Sequence, residues 1–415
     1  MQAWKPVSVP SVPHTEADGE ELTIFDSAAG GIVDLGPREG TARLYVCGIT
    51  PYDATHMGHA NTYLTFDLLV RVWRDHGLEV DYTQNVTDVD DPLLERAEQT
   101  GVDWRSLADE QIQLFREDME ALRIIPPTSY LGVVESIDRV IDLIQRLQNR
   151  GAIYAIDDPD YPDLYFRRKS DDDFGSVGHL EGDEALAVFA DHGGDPGRPG
   201  KEDPLDSLVW RLERPGEPAW DSPFGRGRPG WHIECTAISL QTLGTDLDVQ
   251  GGGSDLIFPH HEMCAAQARV ATGEPFAKAY VHGGMVGLDG EKMSKSLGNL
   301  VLVSQLRAQG IDPMAIRLAL LANRYRDDWF WTDDLIPTAE RRLNQWQEAV
   351  RLAAALPAAE VIAAIRAALN HDLDAPAALA AVDAWAAGSL AIDSDDAQAP
   401  GQVAQAVDAL LGVRL

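Results

Sequence analysis

Cysteine and apolar runs are scarce in this chain, and each scarcity excludes a class of protein. Its 415 residues include 3 cysteines, too few and too far apart for the disulfide framework of a small secreted domain. No stretch reaches the roughly 18 consecutive apolar residues that a membrane-spanning helix needs, and the first residues lack the apolar core of a secretion signal. We therefore expect a reducing, cytoplasmic location without membrane contact.

Positive charge is also in short supply. The chain has 67 acidic and 34 basic residues, a formal net charge of -33, and only six lysines. Such a chain repels polyanions unless its cations are concentrated in one site, so a large nucleic acid is a disfavoured partner. The hydrophobic content of 45% is enough for proper cores, and the length predicts about two to four domains.

From Thr41 onwards the sequence has the pattern of a parallel α/β sheet. Residues 43–47 alternate like a strand, residues 61–76 carry apolar side chains at helical spacing, and residues 78–85 form the next strand pattern. This order of strand, helix and strand predicts a doubly wound, Rossmann-like sheet, in which ligands bind at the carboxyl ends of the strands.

The remaining segments differ in composition. The N-terminal residues are rich in Pro, Ala and Gly and predict a surface arm, the middle of the chain has the Asp, Gly and Pro clusters of an insertion, and the last part is Ala-rich and helical. The predicted boundaries are 1–35 for the arm, 36–114 and 229–290 for the two halves of the catalytic domain, 115–228 for the connective insertion, 291–337 for a lysine-bearing loop with connecting helices, and 338–415 for a C-terminal helical domain.

Two motifs have the composition of a nucleotide site. Residues 55–59 (Thr-His-Met-Gly-His) follow the first strand of the pattern, where a helix N terminus and two imidazoles can face phosphates. Residues 292–296 (Lys-Met-Ser-Lys-Ser) carry charges that can stabilise phosphates when a carboxylate attacks ATP. Taken singly, the first could be a structural helix start and the second a solvated loop. The candidate catalytic residues are His56, His59, Lys292 and Lys295.

Together the two motifs resemble the HIGH and KMSKS sequences of class I aminoacyl-tRNA synthetases, with Met57 in place of the usual Ile. Four further strings narrow the resemblance to the cysteine-activating branch: 47–53 (CGITPYD), 85–91 (NVTDVDD), 230–235 (GWHIEC) and 251–262 (GGGSDLIFPHHE). The resemblance runs from about Thr41 to Asp334. It implies a class I synthetase fold that converts cysteine and ATP, accompanied by Mg²⁺, into cysteinyl-adenylate.

The same resemblance implies an adenylate site at the matching positions, with Lys295 as the stronger of the two lysine candidates. From the residues alone, Trp231 could instead be a core aromatic and Asp255 a helix N-cap. The implied contacts are made by Cys47, Gly48, Ile49, Thr50, Thr62, Asn85, Val86, Thr87, Trp231, Gly253, Ser254 and Asp255, and by the backbone of Val286, which would contact adenine.

In that family a zinc ion selects cysteine, because Zn²⁺ binds a thiolate far better than the hydroxyl of serine. Cys47, Cys235 and His260 match three of the family's zinc ligands, although either cysteine could instead be a small buried apolar residue. Cys264 lies one helical turn after His260, at a position where cysteinyl-tRNA synthetases carry a glutamate ligand. The sequence leaves open whether Cys264 binds the metal or lies beside it.

The chain departs from the synthetases in the features that indicate which acceptor takes the activated cysteine. After Pro337 only 78 residues remain, with five arginines, no lysine and ten acidic residues, a poor surface for tRNA. Residues 193–196 (Gly-Gly-Asp-Pro) resemble a sequence of the mycothiol-pathway cysteine ligases, which are paralogues of the synthetases. Asp191 and His192 replace the Glu-Arg that precedes it in that family, so any role of the arginine is in doubt here.

This second resemblance implies amide formation between cysteine and the amine of glucosaminyl-inositol, without tRNA. We expect a monomer. A shortened cysteinyl-tRNA synthetase and a non-catalytic adenylate-binding relative are the alternatives. The sequence identifies neither the base that accepts the amine proton nor the residues that bind inositol.

Overall fold

The computed structural model describes residues 1–13, 21–52, 55–288, 290–293 and 300–415, with residues 291 and 292 described by their backbone alone. The strands are β1 (Thr23–Asp26), β2 (Gly31–Asp34), β3 (Thr41–Val46), β4 (Glu79–Val86), β5 (Ser129–Gly132), β6 (Ile153–Ala155), β7 (Leu164–Phe166), β8 (Ser207–Leu212), β9 (Gly227–Pro229), β10 (Leu247–Gly253), β11 (Ala277–Gly283), β12 (Val286–Leu288), β13 (Glu291–Lys292) and β14 (Trp329–Trp331).

The α-helices are α1 (Met57–Asp75), α2 (Asp91–Thr100), α3 (Trp104–Ala121), α4 (Ile137–Asn149), α5 (Gly182–Asp191), α6 (Trp231–Leu243), α7 (Glu262–Thr272), α8 (Val303–Ala308), α9 (Pro313–Leu321), α10 (Leu335–Val350), α11 (Ala358–Asn370), α12 (Ala375–Ala391) and α13 (Ala399–Ala406). An irregular turn, Ile257–His261, precedes α7, and a wide helical turn, Val407–Leu411, follows α13. None of the helices in the described ranges is long and apolar enough to cross a lipid bilayer.

The central sheet is parallel, as the strand and helix pattern predicts. Its five strands lie in the order β11-β10-β3-β4-β5, and every neighbouring pair is parallel. Helix α1 packs against β4, β10 and β11, and α6 packs against β3 and β4. Strands β3 and β4 are exposed at their first residues and buried at their last, because helices cover the carboxyl half of the sheet.

The segment between the two halves of the sheet contributes to two structures. Strand β5 lies within residues 115–228, yet it joins the central sheet beside β4. The rest of the segment forms a separate antiparallel sheet in the order β6-β7-β8-β9, together with α5. A four-residue edge strand such as β5 is too short to show periodicity in the sequence, which is why the composition does not separate it from the insertion.

The N-terminal arm is not confined to the surface. Trp4 is 5% exposed and lies in the main hydrophobic core, where its indole donates a hydrogen bond to the Ile124 carbonyl oxygen at 2.6 Å. Its ring packs edge-on against Phe115 and Tyr130. The expectation of a surface arm is therefore wrong for this residue, because a single tryptophan can anchor a segment that has no apolar periodicity.

A buried charge cluster joins α1 to the C-terminal helices. Asp67 accepts hydrogen bonds from Arg71 at 2.7 Å and from Arg317, and all three side chains are inaccessible to solvent. Arg71 also donates to the carbonyl oxygens of Asp408 and Ala409, both at 3.0 Å. Burial raises the pKa of Asp67, but the two guanidinium groups outweigh it and the net pKa is lowered. The carboxylate is thus the counter-ion on which this junction depends.

Asp67→Asn should therefore destabilise the protein strongly, because it leaves two buried guanidinium groups without a counter-ion. We expect a loss of about 3–5 kcal/mol in the free energy of unfolding, measured by urea denaturation. The control is Asp246→Asn, which pairs with Arg43 at 2.8 Å and with Lys278 at 2.6 Å at the surface, and the loss of each of these pairs should cost less than about 1 kcal/mol. Equal losses in the two variants would contradict this account of the junction.

Candidate active site and metal centre

The ends of three neighbouring strands meet at the carboxyl edge of the central sheet. Cys47 follows β3, and its backbone N–H donates to the Gly251 carbonyl oxygen in β10 at 3.0 Å. Thr87 follows β4, and its N–H donates to the Ile49 carbonyl oxygen at 3.0 Å. The motifs that follow these strands therefore lie side by side, at the edge where doubly wound sheets bind ligands.

Cys47, Cys235 and His260 come together at this edge. One potential ligand atom from each lies within 4.8 Å of the others, and all three residues are buried. The sulfur of Cys235 comes from the second turn of α6, and the imidazole of His260 comes from the irregular turn before α7. Within the described ranges this is the one cluster of three or more His, Cys, Asp or Glu residues with metal-binding spacing.

The electrostatics of this cluster favour a cation. A hydrogen bond from Cys47 lowers the pKa of Cys235 well below its ordinary value and outweighs the effect of burial. Burial raises the pKa of Cys47. Burial lowers the pKa of His260, but the sulfurs of Cys264 and Cys235 outweigh this effect and raise the pKa to about 10. Buried sulfurs with thiolate character attract positive charge. They are therefore suitable ligands for a divalent metal such as zinc.

A second histidine fixes the orientation of His260. The Nδ1 atoms of His260 and His232 lie 2.9 Å apart, and burial lowers the pKa of His232 well below its ordinary value, which keeps that ring neutral. The His260 Nδ1–H can therefore donate to the neutral His232, which leaves His260 Nε2 available as a ligand. Trp231 stacks on the same imidazole, with ring centroids 4.3 Å apart.

The side chains of His261, His282 and Ser27 form a row that begins at the Cys47 sulfur. The Nε2 atom of His261 lies 3.3 Å from the Cys47 sulfur, and its Nδ1 atom lies 2.8 Å from Nε2 of His282. The other nitrogen of His282 lies 2.8 Å from the Ser27 hydroxyl. Burial lowers the pKa of both histidines. Because a neutral imidazole has one donor and one acceptor nitrogen, all hydrogen bonds along this row run in the same direction.

Cys264 lies beside the cluster. Its sulfur is 3.4 Å from the His232 carbonyl oxygen, to which it donates, and 3.9 Å from Nε2 of His260. It does not belong to the group whose ligand atoms share the 4.8 Å spacing. This geometry favours Cys264 as a neighbour of the metal site, the second of the two possibilities that the sequence leaves open.

Glu262 attaches the insertion to this site. Its buried carboxylate accepts hydrogen bonds from the backbone N–H groups of Gly175, Val177 and Gly178, at 2.8 to 2.9 Å. Glu262 is the first residue of α7, so the loop from the insertion lies against the helix that follows His260.

The Gly-Gly-Asp-Pro turn of the insertion is held by its own aspartate. Asp195 accepts a hydrogen bond from Lys201 Nζ at 2.9 Å and another from the Tyr165 hydroxyl. The Lys201 ammonium lies over the rings of Tyr165 and Phe189. These contacts show how the turn is stabilised, and they assign it no contact with a ligand.

The two histidines of residues 55–59 lie at the N terminus of α1. His56 is the N-cap, its Nδ1 accepts from the His59 backbone N–H at 3.4 Å, and the two rings stack with centroids 3.8 Å apart. A side chain at Gly58 would lie 2.9 Å from the His56 ring. The glycine is thus needed for the compact arrangement, which places both imidazoles where a helix attracts anions.

Most candidate adenylate residues lie at the carboxyl ends of β3, β4 and β10. Asn85 Oδ1 accepts from the Gly48 N–H at 2.8 Å and from the Tyr45 hydroxyl at 3.1 Å. Gly48 packs so closely against the Asn85 carbonyl that no side chain fits there. Along the edge in sequence order, Cys47, Gly48, Ile49 and Thr50 follow β3, Asn85 and Val86 end β4 with Thr87 next, and Gly253 ends β10 ahead of the short turn Ser254–Leu256.

Thr62 and Asp255 lie on either side of Gly253. The Thr62 hydroxyl lies 3.8 Å from the position that a Cβ at Gly253 would occupy, and the Asp255 carboxylate lies closer to it. Asp255 is exposed, and the turn that contains it begins at Gly253 without a side-chain cap. The N-cap role considered for Asp255 is therefore not seen, and Trp231 is only partly buried.

The lysine motif is only partly described. Val286 begins β12, and Lys292 pairs with Gly287 through the antiparallel β12–β13 ladder. Lys295 lies outside the described residues, so its predicted position stays a prediction. The β12 strand is held on its other side by β14.

The comparisons with known proteins agree with this geometry. A family profile described as tRNA synthetases class I (C) catalytic domain matches residues 36–341. The L-cysteine:1D-myo-inositol 2-amino-2-deoxy-alpha-D-glucopyranoside ligase of Kribbella flavida is 60% identical over 417 residues, with 100% of both chains covered. The ligase of the same name from Mycolicibacterium smegmatis is 56% identical over 416 residues, again with 100% of both chains covered.

The chain belongs to this ligase family. Among solved structures, methionyl-tRNA synthetase of Mycobacterium tuberculosis in complex with methionyl-adenylate has a TM-score of 0.64 at 18% identity, with 89% of each chain covered. The LeuRS of Agrobacterium radiobacter K84 has a TM-score of 0.66 at 13% identity and covers 89% of this chain and 84% of its own. Both confirm the predicted class I synthetase fold.

Substitution of the cysteines should distinguish ligands from their neighbour in this ligase. Cys47→Ser and Cys235→Ser should each lower zinc affinity by at least 10- to 100-fold, the loss known for even an outer partner of a metal ligand, and should abolish cysteine-dependent exchange of pyrophosphate into ATP. Cys264→Ser should retain zinc and most of the exchange activity. Zinc content by elemental analysis and exchange kinetics measure both. Full zinc content with normal preference for cysteine over serine in Cys47→Ser or Cys235→Ser would contradict the assignment.

Proposed function

We propose that this chain joins L-cysteine to the amine of 1D-myo-inosityl 2-amino-2-deoxy-alpha-D-glucopyranoside in an ATP-dependent reaction that releases AMP and pyrophosphate. The single observation that carries the proposal is the Cys47, Cys235 and His260 cluster, placed at the strand edge that also holds the adenylate residues. The acceptor follows from relatives that carry this activity in their names and match the chain over its full length.

The donor set suits the selection of cysteine. When bound by Cys47, Cys235 and His260, zinc would offer a further position to the thiolate of the substrate and discriminate it from the serine hydroxyl. His232 orients His260, and Nε2 of His261 lies 3.3 Å from the Cys47 sulfur. These neighbours would keep the two ligands in place.

Activation of cysteine is proposed as the first step. A carboxylate oxygen of cysteine attacks the α-phosphorus of ATP, and the bond to the β,γ-pyrophosphate breaks. His56 and His59 at the N terminus of α1 would stabilise the negative charge on the phosphates. Lys292 and Lys295 would neutralise the departing pyrophosphate, which leaves with Mg²⁺.

Amide formation is the second step. The neutral amine of the sugar attacks the carbonyl carbon of cysteinyl-adenylate, the new C–N bond forms, the C–O bond to AMP breaks, and the amine loses a proton. Thr62, Gly253 and Asp255 lie together beside the start of α1. We propose that these three residues bind the adenylate during this step. The ring of Trp231, which stacks on His260, would lie between the adenylate and the metal ligands.

The C-terminal helices support a small acceptor over tRNA. Two of their five arginines are committed to internal ion pairs: Arg366 with Asp75 at 2.8 Å, and Arg342 with Asp383 at 3.0 Å. Few cations are left to bind a polyanion. We further propose a monomer in the reducing cytoplasm, where the buried free thiols of the metal cluster stay reduced.

An acceptor assay tests the proposal. Enzyme, ATP and radiolabelled cysteine are incubated with glucosaminyl-inositol or with cysteine-specific tRNA, and the products are separated. We expect an alkali-stable amide with the amino sugar and no label on tRNA. Transfer to tRNA alone would identify a shortened cysteinyl-tRNA synthetase, and absence of cysteine-dependent pyrophosphate exchange would identify a non-catalytic relative.

A further inference from the structure

The start of the histidine motif is held by the segment that leads into α8. The Met57 N–H donates to the Val301 carbonyl oxygen, and the Val303 N–H donates to the Thr55 carbonyl oxygen, both at 3.0 Å. Between them His56 and Leu302 form an antiparallel bridge. The backbone on both sides of His56 is therefore fixed by residues 301–303.

An ion pair fixes α8 in turn. Arg307 in α8 donates to Asp118 in α3 at 2.6 Å, and the Asp118 side chain is fully buried while that of Arg307 is 29% exposed. Since α8 has only six residues, one buried carboxylate that holds its last turn restrains the whole helix. The position of residues 301–303 thus depends on Asp118.

Asp118 also lies beside Thr55, the first residue of the motif. Thr55 is buried and has a φ of 24°, a conformation that a β-branched residue adopts only when its surroundings enforce it. Burial raises the pKa of Asp118 to about 6, while Arg307 and the nearby Thr55 hydroxyl lower it. The geometric link from Asp118 to the strained residue that precedes His56 runs through Arg307, α8 and residues 301–303.

We propose that Asp118, held by Arg307, is a positioning residue that keeps Thr55 and residues 301–303 in register and so aims His56 and His59 at the phosphates of ATP. This inference rests on the proposed cysteine activation. Helix α3 would then control the geometry of the nucleotide site, although it carries none of the candidate active-site residues.

The test compares Asp118→Asn with the wild type in cysteine-dependent exchange of pyrophosphate into ATP. We expect the kcat of exchange to fall on the order of 100-fold, because a displacement of about 1 Å in a positioning group costs that much. The KM for cysteine should stay unchanged, since the Cys47 and Cys235 cluster is separate. Arg307→Lys, which keeps the charge, should retain more activity than Arg307→Gln.

The matched control is Arg342→Gln. Arg342 is 22% exposed and pairs with Asp383, which is 34% exposed, at 3.0 Å within the C-terminal helices, so its loss removes an ion pair away from the site. It should lower the melting temperature less than Arg307→Gln does, because the carboxylate left behind is partly solvated, and kcat should be unchanged. If Asp118→Asn fails to fold, the partly exposed Arg307 and its Lys and Gln variants provide the decisive comparison.

The outcomes separate the two proposals. A normal kcat in Asp118→Asn and in Arg307→Gln, or a fall in kcat matched by an equal rise in the KM for cysteine, would overturn the positioning role alone. Absence of exchange in the wild type would overturn the proposed activation and this inference with it.

Discussion

The rest of the site depends on one constraint, a buried cluster of two sulfurs and an imidazole that attracts a cation. Cys47, Cys235 and His260 come from three separate parts of the chain, and each is costly to bury in ionised form without a partner. The sulfurs raise the pKa of His260 to about 10, so the cluster attracts positive charge. A metal bound there would, under the proposed function, also present a position for a third sulfur, that of the substrate.

The parallel sheet explains why activation chemistry lies next to this cluster. The strand that ends before Cys47 lies between β10 and β4, so candidate adenylate residues flank the candidate metal ligand on both sides. Gly48 packs against the backbone of Asn85 and Gly58 against the His56 ring, and this close packing keeps the ends of β3 and β4 together and the two imidazoles stacked. A cysteine held by its thiolate would therefore have its carboxylate close to the α-phosphate, and specificity and activation share one edge.

The sequence predicts the functional residues that belong to short motifs. It does not predict the residues that hold those motifs in position. Cys47, Cys235 and His260 lie within recognisable strings, and the structure brings them together as expected. Nothing local marks Ser27 or His282 as neighbours of the cluster, because both reach it through pairing distant in sequence. Of the double histidine at 260 and 261, the sequence already favours His260 as the ligand, and the structure groups His260 with the two cysteines while His261 lies against Cys47.

The most direct test of the central claim is X-ray absorption at the zinc edge, with and without cysteine. With Cys47, Cys235 and His260 as the protein ligands, the free enzyme should show two sulfurs and at least one nitrogen around zinc. Addition of cysteine, but not of serine, should increase the number of sulfurs to three. Three sulfurs before cysteine is added, with no change afterwards, would identify Cys264 as a permanent ligand and contradict an open site completed by the thiolate of the substrate.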